Sequence, residues 1–152
     1  MNLTQTEEDY LEAIYRITRE KGYVRVKDIA KKLNVRPPSV TEMLIKFNNK
    51  GLVNYEKYGG ITLTKKGERI GKSVMTRHNT IKKFLQIILI PEEIAERSAC
   101  KMEHHLDPKT VEQLTKFVSF VEQAPLYPRW LEHFRIYCQK GKVPECDRKS
   151  DA

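Results

Sequence analysis

No apolar run in this chain of 152 residues approaches the roughly 20 residues that cross a bilayer as a helix. The longest one, Phe84 to Ile90, is interrupted by Gln86 and followed by Pro91. The chain does not open with a basic segment followed by an apolar one, so we expect no secretory signal peptide. Paired C-x-x-C and H-x-x-x-H motifs are also missing, which excludes the ligand spacing of a zinc finger.

Cysteine is scarce, and its three copies make an odd number. An odd count argues against a framework of disulfides and agrees with a reducing compartment. We therefore expect a cytoplasmic protein. The sequence shows neither an internal repeat nor a low-complexity tract.

Basic residues outnumber acidic ones, with 28 Lys and Arg against 20 Asp and Glu and a net charge of +8. Such an excess favours a polyanionic partner, although it says nothing about the fold. The length permits one domain, or one small domain with an appended helical part.

The first half of the chain predicts a helix, a short helix, a turn, a third helix and a two-stranded hairpin. Thr4-Gln5-Thr6-Glu7 is a capping box that opens the first helix, and Gly22 ends it near Lys21. The remaining predicted segments are a short helix over 27–33, a helix over about 38–49, strands over 52–56 and 61–64, and a hairpin turn over 57–60.

This order of elements is that of a winged helix-turn-helix, in which one helix enters the major groove with its N-terminal residues at the base edges. Side chains that lie away from the apolar stripe of the third helix, or at the hairpin tip, are the candidate DNA contacts. They are Arg36, Pro38, Ser39, Thr41, Glu42, Lys46 and Lys57. Any one of them alone is also compatible with ordinary solvated surface.

The second half predicts only helices. One begins at Lys65 and continues through His78, and the others cover about 91–105, 108–123 and 129–139. Apolar residues within 84–89 and 111–121 exceed what one small helical layer buries, which predicts a homodimer.

Three residues with metal-ligating side chains stand close together in this helical half. Cys100, Glu103 and His104 have offsets of 0, 3 and 4, which on a helix puts them on one face, opposite the apolar arc. A solvated face that carries a cysteine explains the pattern as well as a metal site does. A metal site needs further ligands from elsewhere in the chain.

Two other predicted helices contain candidates for these further ligands. Asp9 and Glu12 form a polar stripe on the first helix, and His78 follows Arg77 on the long helix. Paired acids early in a helix also simply complement its dipole. Together with Cys100, Glu103 and His104, the three make a mixed set of oxygen, nitrogen and sulfur donors. Such a set suits a first-row divalent ion better than calcium or magnesium.

The sequence resembles the diphtheria toxin repressor family of metal-dependent transcriptional regulators, and in particular its short manganese-transport-regulator branch, which lacks the SH3-like domain. The resemblance covers about residues 4–122. The resembling segments are 8–15 (EDYLEAIY), 26–30 (VKDIA), 38–41 (PSVT), 51–58 (GLVNYEKY), 63–67 (LTKKG), 77–78 (RH) and 103–106 (EHHL).

The resemblance implies a mainly α protein, with a winged helix-turn-helix domain over 1–72, a helical metal-binding and dimerisation domain over 73–124 and an extension over 125–152. It also implies that Fe(II) or Mn(II) switches on operator binding by a homodimer, usually to repress metal-uptake genes. Metal would join the first helix to the dimerisation helices and set the two recognition helices about 34 Å apart.

Two positions combine the patterns of different branches. Asp9 matches the manganese branch, whereas the iron branch has a cysteine at the position of Cys100. Lys82 replaces a glutamate of an ancillary site in the iron branch. His133, Cys138 and Cys146 offer a loosely spaced second set of ligands.

Two other functions remain open from the sequence. One is a metal-independent winged-helix regulator in which Cys100 senses oxidants or a ligand. The other is a small metallohydrolase, but no evident general base or oxyanion device accompanies the ligands. We therefore predict a regulator and not an enzyme.

Overall fold

A computed structural model of the chain describes residues 2–145. The described residues form seven α-helices and one two-stranded antiparallel sheet. The elements are α1 (Gln5–Lys21), α2 (Val26–Leu33), α3 (Pro37–Asn49), β1 (Val53–Tyr55), β2 (Ile61–Leu63), α4 (Lys65–Ile87), α5 (Glu92–Met102), α6 (Pro108–Gln123) and α7 (Arg129–Lys140). This order confirms the predicted mainly α fold with a winged helix-turn-helix.

One helix end differs from the prediction. Helix α4 continues through His78, as predicted, and ends at Ile87. Helix α5 ends at Met102, before the predicted end at 105, since the backbone N–H of His105 donates to the carbonyl of Met102 in a turn, 3.0 Å away.

The chain divides into two compact units. Among the described residues, one unit contains residues 2–79 together with Cys100–His105, and the other contains Thr80–Ala99 and residues 106–145. The core of the first unit is built from the apolar faces of α1, α2, α3 and the hairpin. Its largest fully buried apolar side chains are Leu11, Ile14, Ile29, Leu44, Phe47 and Leu52.

Helix α1 begins with the predicted capping box, which also ties it to α3. The hydroxyl of Thr4 accepts from the backbone N–H of Glu7, and the Glu7 carboxylate accepts from the N–H of Thr4. The same carboxylate is buried and contacts the ammonium groups of Lys50 at 2.5 Å and Lys46 at 3.1 Å. The Lys50 ammonium, followed by the Thr4 backbone, lowers the pKa of Glu7 to about 2.

Replacing Glu7 with Gln should lower the free energy of unfolding by about 1–3 kcal/mol at neutral pH, because hydrogen bonds to a charged carboxylate are lost. The folded pKa of Glu7 is depressed, so its contribution is complete above the ordinary pKa of about 4.5 and disappears as the pH falls toward 2. Chemical denaturation across this pH range should therefore show the two proteins converging. Glu20→Gln, on the exposed end of α1, is the control, and a constant difference down to pH 2 would contradict the assignment.

A left-handed residue separates the helices of the helix-turn-helix. Asn34 has φ 53° and ends α2, and the N–H of Val35 donates to the Ala30 carbonyl at 3.0 Å, as in a Schellman motif. Pro37 then occupies the first position of α3, where a missing N–H costs no hydrogen bond. The recognition helix α3 thus starts one residue earlier than predicted.

The wing is the hairpin of β1 and β2, which pair in the register Val53 with Leu63 and Tyr55 with Ile61. Its tip contains Tyr58, which has φ 69° and is 97% exposed. The left-handed residue is therefore Tyr58 and not one of the two glycines that follow it. The tip presents a tyrosine ring to solvent beside Lys57.

An aromatic chain runs through the second unit. The ring of Phe117 on α6 lies 5.8 Å from that of Phe84 on α4 and 5.9 Å from that of Trp130 on α7, centroid to centroid. These contacts pack α7 on α6, and α6 on α4. No helix in the described part of the chain is both long and apolar enough to cross a membrane.

Candidate functional site

Glu103 lies at the centre of a cluster of side chains of the types that bind metals. Its side chain is 1% exposed and is located in the turn after α5. One carboxylate oxygen, Oε2, is 2.9 Å from Nδ1 of His78, and the other, Oε1, is 3.2 Å from Nε2 of His104. Glu103 therefore connects an imidazole of α4 to one that follows α5.

A first group of donors contains Asp9, Glu103 and His104. One donor atom from each lies within 4.8 Å of the others. Nε2 of His104 is 2.7 Å from Oδ1 of Asp9, which α1 supplies. The His104 side chain is 1% exposed, whereas Asp9 is half-buried.

A second group contains Glu12, His78 and Glu103, whose donor atoms also lie within 4.8 Å of one another. All three residues are buried. Glu12 comes from α1, one turn after Asp9, and its carboxylate pairs with the Arg16 guanidinium at 2.6 Å. Since Glu103 belongs to both groups, the two groups form one continuous cluster.

Cys100 stands at the edge of this cluster. Its Sγ is 3.8 Å from Nδ1 of His78, and the residue is exposed. The structure thus brings together the residues that the sequence predicts as metal ligands, although their role as ligands stays a prediction. They are Asp9, Glu12, His78, Cys100, Glu103 and His104.

The cluster is electrostatically unusual because carboxylates share a buried space. Burial raises the pKa of Glu103, and it raises the pKa of Asp9 as well. Burial alone lowers the pKa of His104, but the carboxylates of Glu8, Asp9 and Glu103 outweigh it and raise that pKa above its ordinary value. Converging carboxylates and imidazoles are donors that first-row divalent ions accept, so the residues present fit such an ion.

The backbone conformation that brings these residues together differs from the prediction. A helical face was expected to carry Cys100, Glu103 and His104 on the side away from the core. Because α5 ends at Met102, only Cys100 of the three is helical. The turn that follows directs Glu103 and His104 into the protein, where both side chains are buried.

The candidate DNA contacts are displayed on and beside α3. Val40, Leu44 and Phe47 of this helix are buried, which leaves the opposite side in solvent. Of the predicted contacts, Thr41 is half-buried and the others are exposed, namely Arg36, Pro38, Ser39, Glu42, Lys46 and Lys57. The ammonium of Lys46 also forms an ion pair with the buried carboxylate of Glu7.

A groove of about 500 Å³ separates α3 from the wing. It is lined by Thr41, Ile45, Asn48, Tyr55 and Lys57. The Asn48 side-chain oxygen accepts from the backbone N–H of Tyr55 at 3.0 Å, which fixes the wing relative to the helix. The ammonium of Lys57 lies 5.5 Å from the centre of the Tyr58 ring.

Comparison with known protein families accounts for both halves of the chain. The family model described as "Iron dependent repressor, N-terminal DNA binding domain" matches residues 2–61, and "Iron dependent repressor, metal binding and dimerisation domain" matches residues 64–128. The chain belongs to the iron dependent repressor family. The predicted family and its class of function, metal-dependent DNA-binding regulation, are thereby confirmed.

Individual members of the iron dependent repressor family agree with this. The chain is 40% identical over 129 residues to the HTH-type transcriptional regulator MntR of Lysinibacillus sphaericus, covering 85% of this chain and 93% of that protein. Identity to MntR of Bacillus subtilis is 42% over 120 residues, covering 79% of this chain and 84% of that protein. The solved structure of the manganese regulator SloR matches with a TM-score of 0.66 and 33% identity. That match covers 78% of this chain and only 55% of SloR.

Two residues of this site, Glu8 and Arg77, were not singled out from the sequence. Glu8 contacts Nδ1 of His104 at 2.8 Å, and Arg77 contacts Glu8 at 2.9 Å. Both stand directly beside a predicted ligand in the chain. That adjacency and their place in the resembling segments 8–15 and 77–78 were the available signals, since the contacts themselves join positions 69 or 96 residues apart.

The proposed second ligand set near the C-terminus has less support from geometry. His133 and Cys138 are five residues apart on α7, so they point about 140° apart around the helix and do not share a face. Cys146 lies outside the described residues. The second site stays a prediction.

Proposed function

We propose that this protein is a cytoplasmic repressor of metal-uptake genes that binds operator DNA as a homodimer when it holds Fe(II) or Mn(II), and that it is not an enzyme. The observation that carries the proposal is the buried cluster around Glu103, which joins side chains of α1 and α4 to the turn after α5. The manganese regulators among its relatives support this class of ion.

The proposed ligands are Asp9, Glu12, His78, Cys100, Glu103 and His104. A bound divalent cation would supply the positive charge that offsets the mutual repulsion of the three carboxylates. Glu103 would hold both donor groups together, and Asp9 and Glu12 would attach α1 to them. Because α1 also packs against the recognition helix α3 through Tyr10 and Phe47, whose ring centres are 6.4 Å apart, a fixed α1 fixes the reading surface.

We further propose that Arg36, Pro38, Ser39, Thr41, Glu42, Lys46 and Lys57 form the DNA surface. The proposed domains are a DNA-binding domain over 1–72, a metal-binding and dimerisation domain over 73–124 and an extension over 125–152. The match of the two family models to successive parts of the chain supports this order.

The test is DNA binding as a function of free metal. Duplexes are first selected by the protein from a random library in the presence of Mn(II). Fluorescence anisotropy then measures their affinity under anaerobic conditions with Mn(II), Fe(II), Co(II) or Zn(II), or with a chelator. We expect tight binding only with metal. Equal binding in chelator would favour instead the metal-independent regulator with Cys100 as a sensor, and turnover of a hydrolytic substrate would favour an enzyme.

Exchanging Cys100 for Glu should change which ion activates best. A carboxylate is a harder ligand than a thiolate, so Mn(II) should gain relative to Fe(II) and Co(II). Cys100→Ala should weaken activation by every ion by at least about tenfold, because even groups that only orient a ligand change metal affinity by about 10–100-fold. Activation curves for DNA binding measure both effects. Cys138→Ala removes another exposed cysteine and serves as the control, and an unchanged curve for Cys100→Ala would remove it from the ligand set.

The wing and the recognition helix should contribute differently to DNA binding. Lys57→Ala should weaken all duplexes alike and reduce the slope of log affinity against log salt by about 1, as loss of one phosphate contact does. Glu42→Ala should instead change the preferred sequence, since a base-edge contact carries the specificity. Titrations at several salt concentrations and repeated selection measure these effects. Lys140→Ala at the end of α7 is the charge control, and parental behaviour of both variants would refute this docking.

A further inference from the structure

His104 has a carboxylate at each of its two ring nitrogens. On one side, Nε2 faces Asp9 and Glu103, at 2.7 Å and 3.2 Å. On the other side, Nδ1 lies 2.8 Å from Oε2 of Glu8. Asp9 and Glu103 belong to the proposed ligand set, whereas Glu8 contacts the ring from the side away from them.

The chemistry of imidazole gives this arrangement a direction. An ionised carboxylate only accepts hydrogen bonds, so the same rule requires a proton at Nδ1, toward Glu8, and at Nε2, toward Asp9 and Glu103. A divalent ion held by Asp9 and Glu103 would take the place of the proton at Nε2 and leave the Nδ1 proton in its hydrogen bond to Glu8. Histidines that bind metals regularly donate the N–H of the remaining nitrogen to a carboxylate or carbonyl, which fixes both the tautomer and the ring orientation. A proton held on Nδ1 leaves Nε2 available on the side of Asp9 and Glu103.

Glu8 is itself held in place from α4. The Arg77 guanidinium lies 2.9 Å from Oε2 of Glu8, the same oxygen that faces His104. Nε of Arg77 is buried and has no hydrogen-bond partner among the described residues, so this guanidinium depends on Glu8 for compensation. The side chains of Glu8 and Arg77 are only 21% and 25% exposed, which limits their freedom to turn elsewhere.

We propose that Glu8 is a positioning residue that keeps the proton of His104 on Nδ1 and thereby presents Nε2 to the metal, with Arg77 holding the Glu8 carboxylate. The inference rests on the metal site proposed above. His78 has the opposite orientation, because its Nδ1 faces Glu103 at 2.9 Å. The two histidines would thus bind through different nitrogens.

The test uses the full chain loaded with Zn(II), which is diamagnetic, and side-chain ¹⁵N NMR of His104. In the parent, Nδ1 should be protonated and Nε2 metal-bound. Glu8→Ala should lose this single tautomer and weaken metal affinity, measured by chelator competition, by about 10–100-fold. Glu8→Gln should recover the tautomer and part of the affinity, because its amide oxygen still accepts from Nδ1. Arg77→Gln should weaken affinity by a smaller factor.

Glu20→Ala is the matched control, since it removes another acid from α1. The described partner of Glu20 is Lys32, at 3.7 Å, which is not a residue of the cluster. Parental zinc affinity and tautomer in Glu8→Ala would overturn the inference and leave the proposed function intact. Metal bound through Nδ1 in the parent would overturn it even if Glu8→Ala did not fold. A parent that binds no metal would instead refute the proposed function itself.

Discussion

Replacing Glu103 with Gln should abolish the metal response while leaving the metal-free protein folded. Glu103 is the residue shared by both donor groups, and its two oxygens face His78 and His104. Gln keeps the shape but substitutes an NH₂ group, which does not bind a cation, for one oxygen. We expect metal affinity to fall by more than the roughly 10–100-fold typical of residues that only orient ligands.

Thermal or chemical unfolding with and without metal measures this loss independently of DNA. A ligand present at 100 times its dissociation constant stabilises a folded protein by about 2.7 kcal/mol, and the parent should gain this much. With affinity more than 100-fold weaker, the variant should gain less than about 0.4 kcal/mol at the same concentration. Without metal it should be at least as stable as the parent, because burial raises the pKa of Glu103 and a neutral amide avoids that penalty. Glu93→Gln on α5 is the control, and a metal-induced gain retained by Glu103→Gln would contradict the central role of this residue.

Local sequence patterns were sufficient for most of the fold. The capping box at Thr4, the glycine after α1 and the proline at the start of α6 each determine a helix end through one or two nearby residues, and each prediction is confirmed. The predicted end of α5 was wrong because no capping residue, glycine or proline stands at Met102 to indicate it. Periodicity alone extended that helix through Glu103 and His104.

The candidate site was predictable in its ligand types but not in its geometry. Spacing within a helix relates Asp9 to Glu12 and groups Cys100 with Glu103 and His104. Residue type adds His78, so the predicted set comes from three separate segments. No local rule indicates that Glu8 contacts His104, 96 residues away, or that Glu7 binds Lys50, 43 residues away. Such contacts depend on how α1 packs against its neighbours, and this packing follows from the whole first unit.

That packing depends on a glycine, and Gly71→Ala should impair both stability and metal binding. A Cβ at this position of α4 would lie 2.7 Å from the carbonyl oxygen of Leu11 and 2.8 Å from Cβ of Tyr15. Neither is a flexible side-chain end, so α1 and α4 would have to separate. Alanine is the better helix former by about 1 kcal/mol, but overpacking between two helices costs about 1–3 kcal/mol. We expect a net loss of stability.

The effect on metal follows from the same displacement. Leu11 lies between Asp9 and Glu12 in α1, and His78 follows Gly71 by seven residues, or about two turns of α4. Moving the two helices apart therefore separates Glu12 from His78, whose donor atoms now lie within 4.8 Å of each other. Chelator competition should show weaker metal binding. Excess metal should restore part of the free energy of unfolding that the substitution removes. Gly60→Ala in the hairpin, where a Cβ meets nothing within 4 Å, should change neither quantity. Parental stability and affinity in Gly71→Ala would mean that the approach of α4 to α1 does not set the geometry of the cluster.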